Sequence, residues 1–192
     1  MPIRLPGPIQ TSRLTIRLVE PSAVDPLFTI HHDRLTTRYI PHMYWPTRAD
    51  AEAWVARGLD RHEKQTAIQC VVERRETRSE PAVVIGTLLL FNVTEDSGLA
   101  EIGYLIGAPY WRQGYMAEAL GAFIGCAFTT VGLRRLEAVV DAGNAASNAL
   151  ATRFGFVHDG VLRERWLAAG QTPDTHVFGL LRRDWLAAQQ AN

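Results

Sequence analysis

The chain runs to 192 residues, 47% of them hydrophobic, with 20 basic side chains against 20 acidic ones. That composition suits one domain with a sizeable core, since a domain commonly takes ~100–200 residues. The balanced charge excludes a global field that would draw the protein to nucleic acid or to an anionic membrane, and no stretch approaches the ~20 apolar residues of a membrane span. Met1 to Pro8 lacks the apolar run of a secretion signal, so a cytoplasmic location is expected. Cys70 and Cys126 lie far apart in apolar stretches. Two buried free thiols are expected there, and metal-ligand spacing is absent.

Residues 1–10 read as an extended lead. Leu14 to Leu18 then alternates as a half-buried strand does. Pro21 ends it, and a helix follows over about Ala23 to His32. Thr47, with Asp50 three residues on, marks the start of a second helix whose apolar face carries Ala51, Trp54, Val55 and Leu59. Ile68 to Glu73 and Val83 to Phe91 read as strands, joined through the mixed-charge run Glu73 to Pro81, a solvated hairpin tip. Val83 to Leu90 is almost wholly apolar, the mark of a central strand buried on both faces.

Leu99 to Ile106 is a further strand, broken by Gly107-Ala108-Pro109. A helix begins near Tyr115, with Met116, Leu120, Phe123, Ile124, Ala127, Phe128 and Val131 on a 3.6-residue period. Gly121 and Gly125 interrupt its propensity at ~1 kcal/mol each, which predicts a close neighbour, most simply the sheet. Arg135 to Val140 is a strand and Ser147 to Arg153 a short helix, with Ser147 suited to cap it. Val161 to Trp166 and His176 to Leu181 form a final hairpin. No repeat or linker divides residues 1–192, so one domain is expected.

The segment from Glu101 to Val131 is the most informative. A helix N-terminus offers unpaired N–H groups and a partial positive charge, which suit phosphate. Gly114 lets the backbone approach a ligand, and Arg112 and Gln113 add donors. Neither Gly-x-x-x-x-Gly-Lys-Ser/Thr nor Gly-x-Gly-x-x-Gly occurs, which excludes a nucleoside-triphosphate loop and argues against a dinucleotide site.

Ala100-Glu101-Ile102-Gly103-Tyr104-Leu105-Ile106, followed by Tyr110-Trp111-Arg112-Gln113-Gly114-Tyr115-Met116-Ala117-Glu118-Ala119-Leu120, resembles the acetyl-CoA motif of the GNAT acetyltransferase superfamily. The branch that includes the ribosomal-protein N-terminal acetyltransferases is the most similar. The likeness continues through Asn144 to Asn148, Phe154-Gly155-Phe156, Gly160 to Arg165 and Asp174, and begins at Thr11 to Arg17. Two departures stand out. Arg112 replaces a usual glycine, adding a charge that could pair with phosphate, and Met116 replaces a usual glycine or alanine, adding bulk on the pyrophosphate side.

The resemblance implies a single mixed α/β domain with a mostly antiparallel, twisted sheet of about six or seven strands, flanked by about four helices, with its central strands splayed. It implies an acetyl-CoA donor and no metal. The pyrophosphate would sit on Arg112, Gln113, Gly114, Tyr115, Met116 and Ala117, and pantetheine along Tyr104, Leu105 and Ile106 opposite Val139 to Asp141, with Asn144 and Asn148 as further contacts. Glu101 is the candidate base, or else a carboxylate hydrogen-bonded at a sheet end. Ser147 matches the serine that assists the departing thiolate, or else caps its helix. Tyr110 and Trp111 are expected to pack.

The acceptor implied is a primary amine, most simply a protein or peptide α-amine. His31, His32 and His42, with Tyr39, Met43, Tyr44 and Trp45, would help form its pocket by analogy, while His158 and His176 read as ordinary strand residues. Asp33, Asp50 and Glu52 are offset by Arg34, Arg38 and Arg48, which disfavours a polycationic acceptor. A small-molecule or antibiotic acetyltransferase and a non-catalytic CoA-binding module remain the alternatives, and a homodimer through the final hairpin is allowed.

Overall fold

The computed structural model describes residues 3–40, 43–167 and 171–190. His42 lies outside them, as do the first two residues of the lead. The strands are β1 (Ile9–Gln10), β2 (Leu14–Leu18), β3 (Ile68–Arg74), β4 (Val83–Thr94), β5 (Leu99–Ile106), β6 (Arg135–Asp141), β7 (Val157–Leu162) and β8 (Thr175–Leu181). The helices are α1 (Val24–His31), α2 (Arg48–Lys64), α3 (Tyr115–Thr129), α4 (Ala145–Arg153) and α5 (Arg182–Gln190). They form a mixed α/β domain whose eight strands run in the order β1-β2-β3-β4-β5-β6-β8-β7. Every neighbouring pair is antiparallel except β5 and β6, which are parallel. A parallel pair needs a long crossover, and α3 supplies it.

The two faces of the sheet carry separate cores. On one, Phe123, Ile124, Ala127 and Phe128 of α3 pack on Leu14, Ile16, Leu88 and Leu90. On the other, Leu27 and Ile30 of α1 and Trp54 and Val55 of α2 pack on Val71, Val84 and Leu105. β4 contributes to both, as its unbroken apolar run requires. No described helix is long and apolar enough to cross a membrane.

Several expectations are corrected. Among the described residues the strand count is eight, because the lead pairs Ile9 with Ile16 and Gln10 with Thr15 as an edge strand. Helix α5 goes unrecognised in the sequence. It starts directly at the end of β8, is only nine residues long and buries none of them fully, its Trp185 reaching Phe128 of α3 across a large sequence separation. The last hairpin begins at Val157, earlier than expected, and Arg163 and Glu164 already form its turn. On α2, Leu59 is exposed and Gly58 is the buried position. The neighbours of Gly121 and Gly125 are not the sheet. A Cβ on Gly121 would lie 3.1 Å from the Phe154 ring, and one on Gly125 would lie 3.7 Å from Trp185 of α5. Cys70 is buried as expected, whereas Cys126 is only half-buried, and both thiols are free.

Candidate active site

Strands β5 and β6 pair only over Leu99 to Glu101 with Arg135 to Glu137. Beyond Glu101 they part. β5 stays with β4 as far as Ile106 opposite Gly86, and β6 stays with β8 as far as Asp141 opposite Thr175. The result is a V whose arms are Ile102 to Ile106 and Ala138 to Asp141, with Glu101 at its apex. The inner edges of these arms keep backbone groups that no described strand pairs, and a buried backbone group without a partner is costly. An extended ligand carrying amide groups would satisfy them.

The loop at the mouth of the V is built to receive an anion. Arg112 (φ 61°) and Gly114 (φ 78°) both adopt the left-handed conformation, which turns successive N–H groups toward one side, as in an anion-binding nest. Glycine reaches that region without strain. Arg112 does so at a cost. No backbone N–H from Arg112 to Ala117 finds an acceptor among the described residues; the first helical bond at this end is from Glu118 N to Gly114 O, at 3.0 Å. The side-chain amide of Gln113 donates to Pro109 O at 2.9 Å, so it closes the loop and leaves the backbone to meet the ligand. Met116 is buried in the core under α3. Its bulk therefore points away from the loop surface, contrary to the expected intrusion on the pyrophosphate.

Arg13 and Glu118 fix this loop from below. Arg13 Nη1 donates to Gln113 O at 2.9 Å, its Nε meets Glu118 Oε2 at 2.6 Å, and its guanidinium covers the Tyr115 ring at 4.4 Å. Glu118 also accepts from Thr11 and Ser12 hydroxyls and from the Arg13 N–H. Burial works against this charge, yet the hydrogen bonds from Thr11 and Arg13 outweigh it and hold the carboxyl down at about 2. Sequence reading shows the Thr11 to Arg17 motif but not its partner, because the two lie some hundred residues apart.

Glu101 is half-buried, and burial is the main influence raising its carboxyl above the ordinary range. The Asn92 amide donates to its Oε2 at 2.9 Å and lowers it, Arg165 lowers it further, and Glu137 raises it. Asn92 was missed. It sits where the β4–β5 register slips, with φ 49°, and such bulges re-aim side chains beside active sites. A polar amide in the otherwise apolar run Leu88 to Val93 was the available signal.

On the other arm, the cap of α4 is Asn144 rather than Ser147: its side-chain oxygen accepts from Ser147 N at 3.1 Å. Ser147 is thereby released from capping, and its Oγ lies 2.8 Å from the Tyr104 hydroxyl. The Asn148 amide donates to Asp141 O and Asn144 O, and its oxygen faces His176 Nδ1 at 2.7 Å. With its hydrogen bonds taken inside the chain, Asn148 frames the arm. Leu105 is buried toward α1 and α2, so only its backbone faces the V, whereas Tyr104 and Ile106 are half-buried. Tyr110 packs on the core. Trp111 is exposed and donates from its indole to Ile106 O at 2.7 Å.

The segment after α1 spans the mouth of the V. Thr36 Oγ1 accepts from Ala108 N at 3.0 Å on one side, and Tyr39 lies beside Gly143 on the other. Its aromatic content divides. His31 stacks on Trp45 at 3.8 Å and bonds Met43 O, and burial pushes its ring down to about 4, so these residues belong to the core rather than to a pocket wall. Tyr39 and Tyr44 stay half-buried, each under an arginine, Arg38 and Arg34.

An open cleft with an anion-ready loop at its mouth and a carboxylate at its apex suits a group-transfer enzyme fed by a long phosphorylated donor. The family model for the acetyltransferase (GNAT) domain matches residues 13–157. "Uncharacterized N-acetyltransferase p20" of Bacillus licheniformis is 30% identical over 92% of this chain and 97% of its own length. "Uncharacterized N-acetyltransferase YoaA" of Bacillus subtilis (strain 168) is 28% identical over 91% of this chain and 96% of its own. Among solved structures, a "putative ribosomal-protein-serine acetyltransferase" from Vibrio cholerae superposes with a TM-score of 0.75 at 30% identity, covering 92% of this chain and 98% of that one. The chain belongs to the GNAT acetyltransferase family, and within it to the side that resembles the ribosomal-protein enzymes. It is an acyl-CoA-dependent N-acetyltransferase.

Proposed function

We propose that this enzyme moves an acetyl group from acetyl-CoA to the α-amine of a protein or peptide N-terminus. The observation that carries the donor half is the run of unpaired N–H groups from Arg112 to Ala117, beside two strands that part at Glu101. Donors converging at a helix N-terminus fit a pyrophosphate, and unpaired strand edges fit the pantetheine amides. Tyr104, Leu105 and Ile106 offer the edge on one arm, and Asn144 helps shape the other.

The donor supplies an activated thioester carbonyl. The chain's own residues do the rest. The strand edges of the V align the carbonyl, and a free N–H on β5 would stabilise charge on the carbonyl oxygen. Glu101 takes the proton that the amine nitrogen loses as it bonds to carbon. Ser147 offers its hydroxyl to the departing sulfur, whose thiol, at a pKa of ~8.5, needs little help.

Three points support an α-amine as acceptor. The Vibrio cholerae protein's name specifies a ribosomal protein. The half-buried rings of Tyr39 and Tyr44, with Arg34 and Arg38 above them, form a rim better suited to a peptide than to a polycation. An α-amine with pKa ~8 is also deprotonated far more often at neutral pH than a lysine at ~10.4. Thiol release from acetyl-CoA, measured over peptides with free N-termini, N-blocked lysine peptides and polyamines, tests the assignment. Free N-termini are expected to give kcat/KM at least about tenfold above the other two classes. A preference for a polyamine or a blocked lysine peptide would overturn the acceptor reading while leaving the donor intact.

A further inference from the structure

Tyr104 stands on the β5 arm, three residues past the last β5–β6 pair, and Ser147 is the third residue of α4, which continues the β6 arm. Their hydroxyl oxygens are 2.8 Å apart. This contact links the two sides of the V at a level where their backbones no longer meet.

A serine hydroxyl normally rotates to suit its surroundings. Here the rotation is constrained. Asn144 already caps the helix, so Ser147 Oγ is not needed for N–H groups of α4. Asn148 and His176 lock the helix to β6 and β8, which fixes the Cα of Ser147. The remaining freedom is one torsion and one proton, and Tyr104 faces both. Tyr104 is half-buried, and the desolvation it does suffer raises its phenol, so it stays protonated and can donate at neutral pH.

We infer that Tyr104 is a positioning residue for acetyl transfer: its phenol donates to Ser147 Oγ, which leaves the serine proton directed into the V toward the departing sulfur. The inference rests on the donor reading given above. As the amine nitrogen bonds to the carbonyl carbon, the carbon–sulfur bond breaks and its electron pair stays on sulfur. The surplus proton on nitrogen goes to Glu101. The sulfur leaves as a thiolate, hydrogen-bonded by Ser147, and is protonated by water. Neither Ser147 nor Tyr104 loses a proton over the cycle.

A double-mutant cycle on the full chain, read in kcat and in KM for acetyl-CoA, tests this. Tyr104→Phe removes one oxygen from a side chain that otherwise keeps its packing. It is expected to lower kcat about tenfold, in keeping with one well-placed hydrogen bond, with KM for the donor changed less than about twofold. Ser147→Ala is expected to lower kcat at least as much, and the double variant to be no slower than Ser147→Ala alone, because the phenol then has nothing to orient. Wild-type kcat in Tyr104→Phe would overturn the inference, as would losses that multiply in the double variant. Calorimetric titration of the wild type with acetyl-CoA separates the two levels: no binding there sinks the donor reading, whereas normal binding and turnover with an indifferent Tyr104→Phe sinks only this one.

Discussion

Glu101→Gln is expected to lower kcat by about 100-fold or more, within the range that a positioned general base contributes, while leaving the affinity for acetyl-CoA close to wild type. The substitution keeps the shape of the side chain and an oxygen for Asn92, whose amide lies 2.9 Å from the carboxylate. What it removes is the charge at the apex of the V. The pH dependence carries the sign of the argument. A base works ionised, so turnover falls as pH drops through the Glu101 pKa. Burial raises that pKa more than Asn92 and Arg165 lower it, so the acidic limb should lie above the ~4.3 of an ordinary glutamate. Asn92→Ala, by removing one of the lowering influences, should move the limb higher still. Both outcomes are read from kcat/KM against pH. The amine's own ionisation near ~8 appears in every variant, so the test is the lower limb: one that survives unchanged in Glu101→Gln would assign the base elsewhere.

Gly86→Ala is expected to have the largest effect on the framework of the site. Gly86 lies opposite Ile106, at the far end of the β5 arm. A Cβ there would fall inside contact distance of the Leu105 carbonyl oxygen and 3.1 Å from Ile106 Cα. Both are backbone atoms in a sheet buried on each side, so neither can swing away, and β5 itself must shift. Overpacking of this kind costs about 1–3 kcal/mol, measurable as a lower denaturation midpoint. The same displacement moves the edge on which pantetheine is proposed to lie, so KM for the donor should rise about tenfold. Normal stability together with normal donor KM would mean that the β5 arm has more room than its packing indicates.

Much of the fold is legible in the residues because local and global preferences agree. The apolar run of β4, the period of α3 and the Thr47–Asp50 helix start each appear where they should, and the Asp50 carboxylate accepts from Thr47 N at 2.9 Å. The loop from Trp111 to Ala117 is legible too, as the motif around Gly114. The less legible features depend on contacts remote in sequence. Arg13 reaches the loop from 100 residues away, and Phe154 and Trp185, not the sheet, explain the glycines of α3. Asn144 takes the capping role that Ser147 also fits by position, a choice between neighbours three residues apart. Met116 turns inward because its place on the helix faces the core, which no pattern of a glycine-rich loop reveals.

The central claim is that the loop Trp111–Ala117 holds the donor's pyrophosphate on backbone N–H groups set by a left-handed Gly114. Gly114→Val places a β-branched side chain at φ 78°, a conformation it strongly resists, in an exposed loop outside either core. Isothermal titration with acetyl-CoA should give one site per chain in the wild type and affinity reduced about 100-fold or more in the variant, the loss of two or so charge-assisted hydrogen bonds, with stability lowered by no more than the ~1–3 kcal/mol of left-handed strain. Equal affinity in the two proteins would contradict the account.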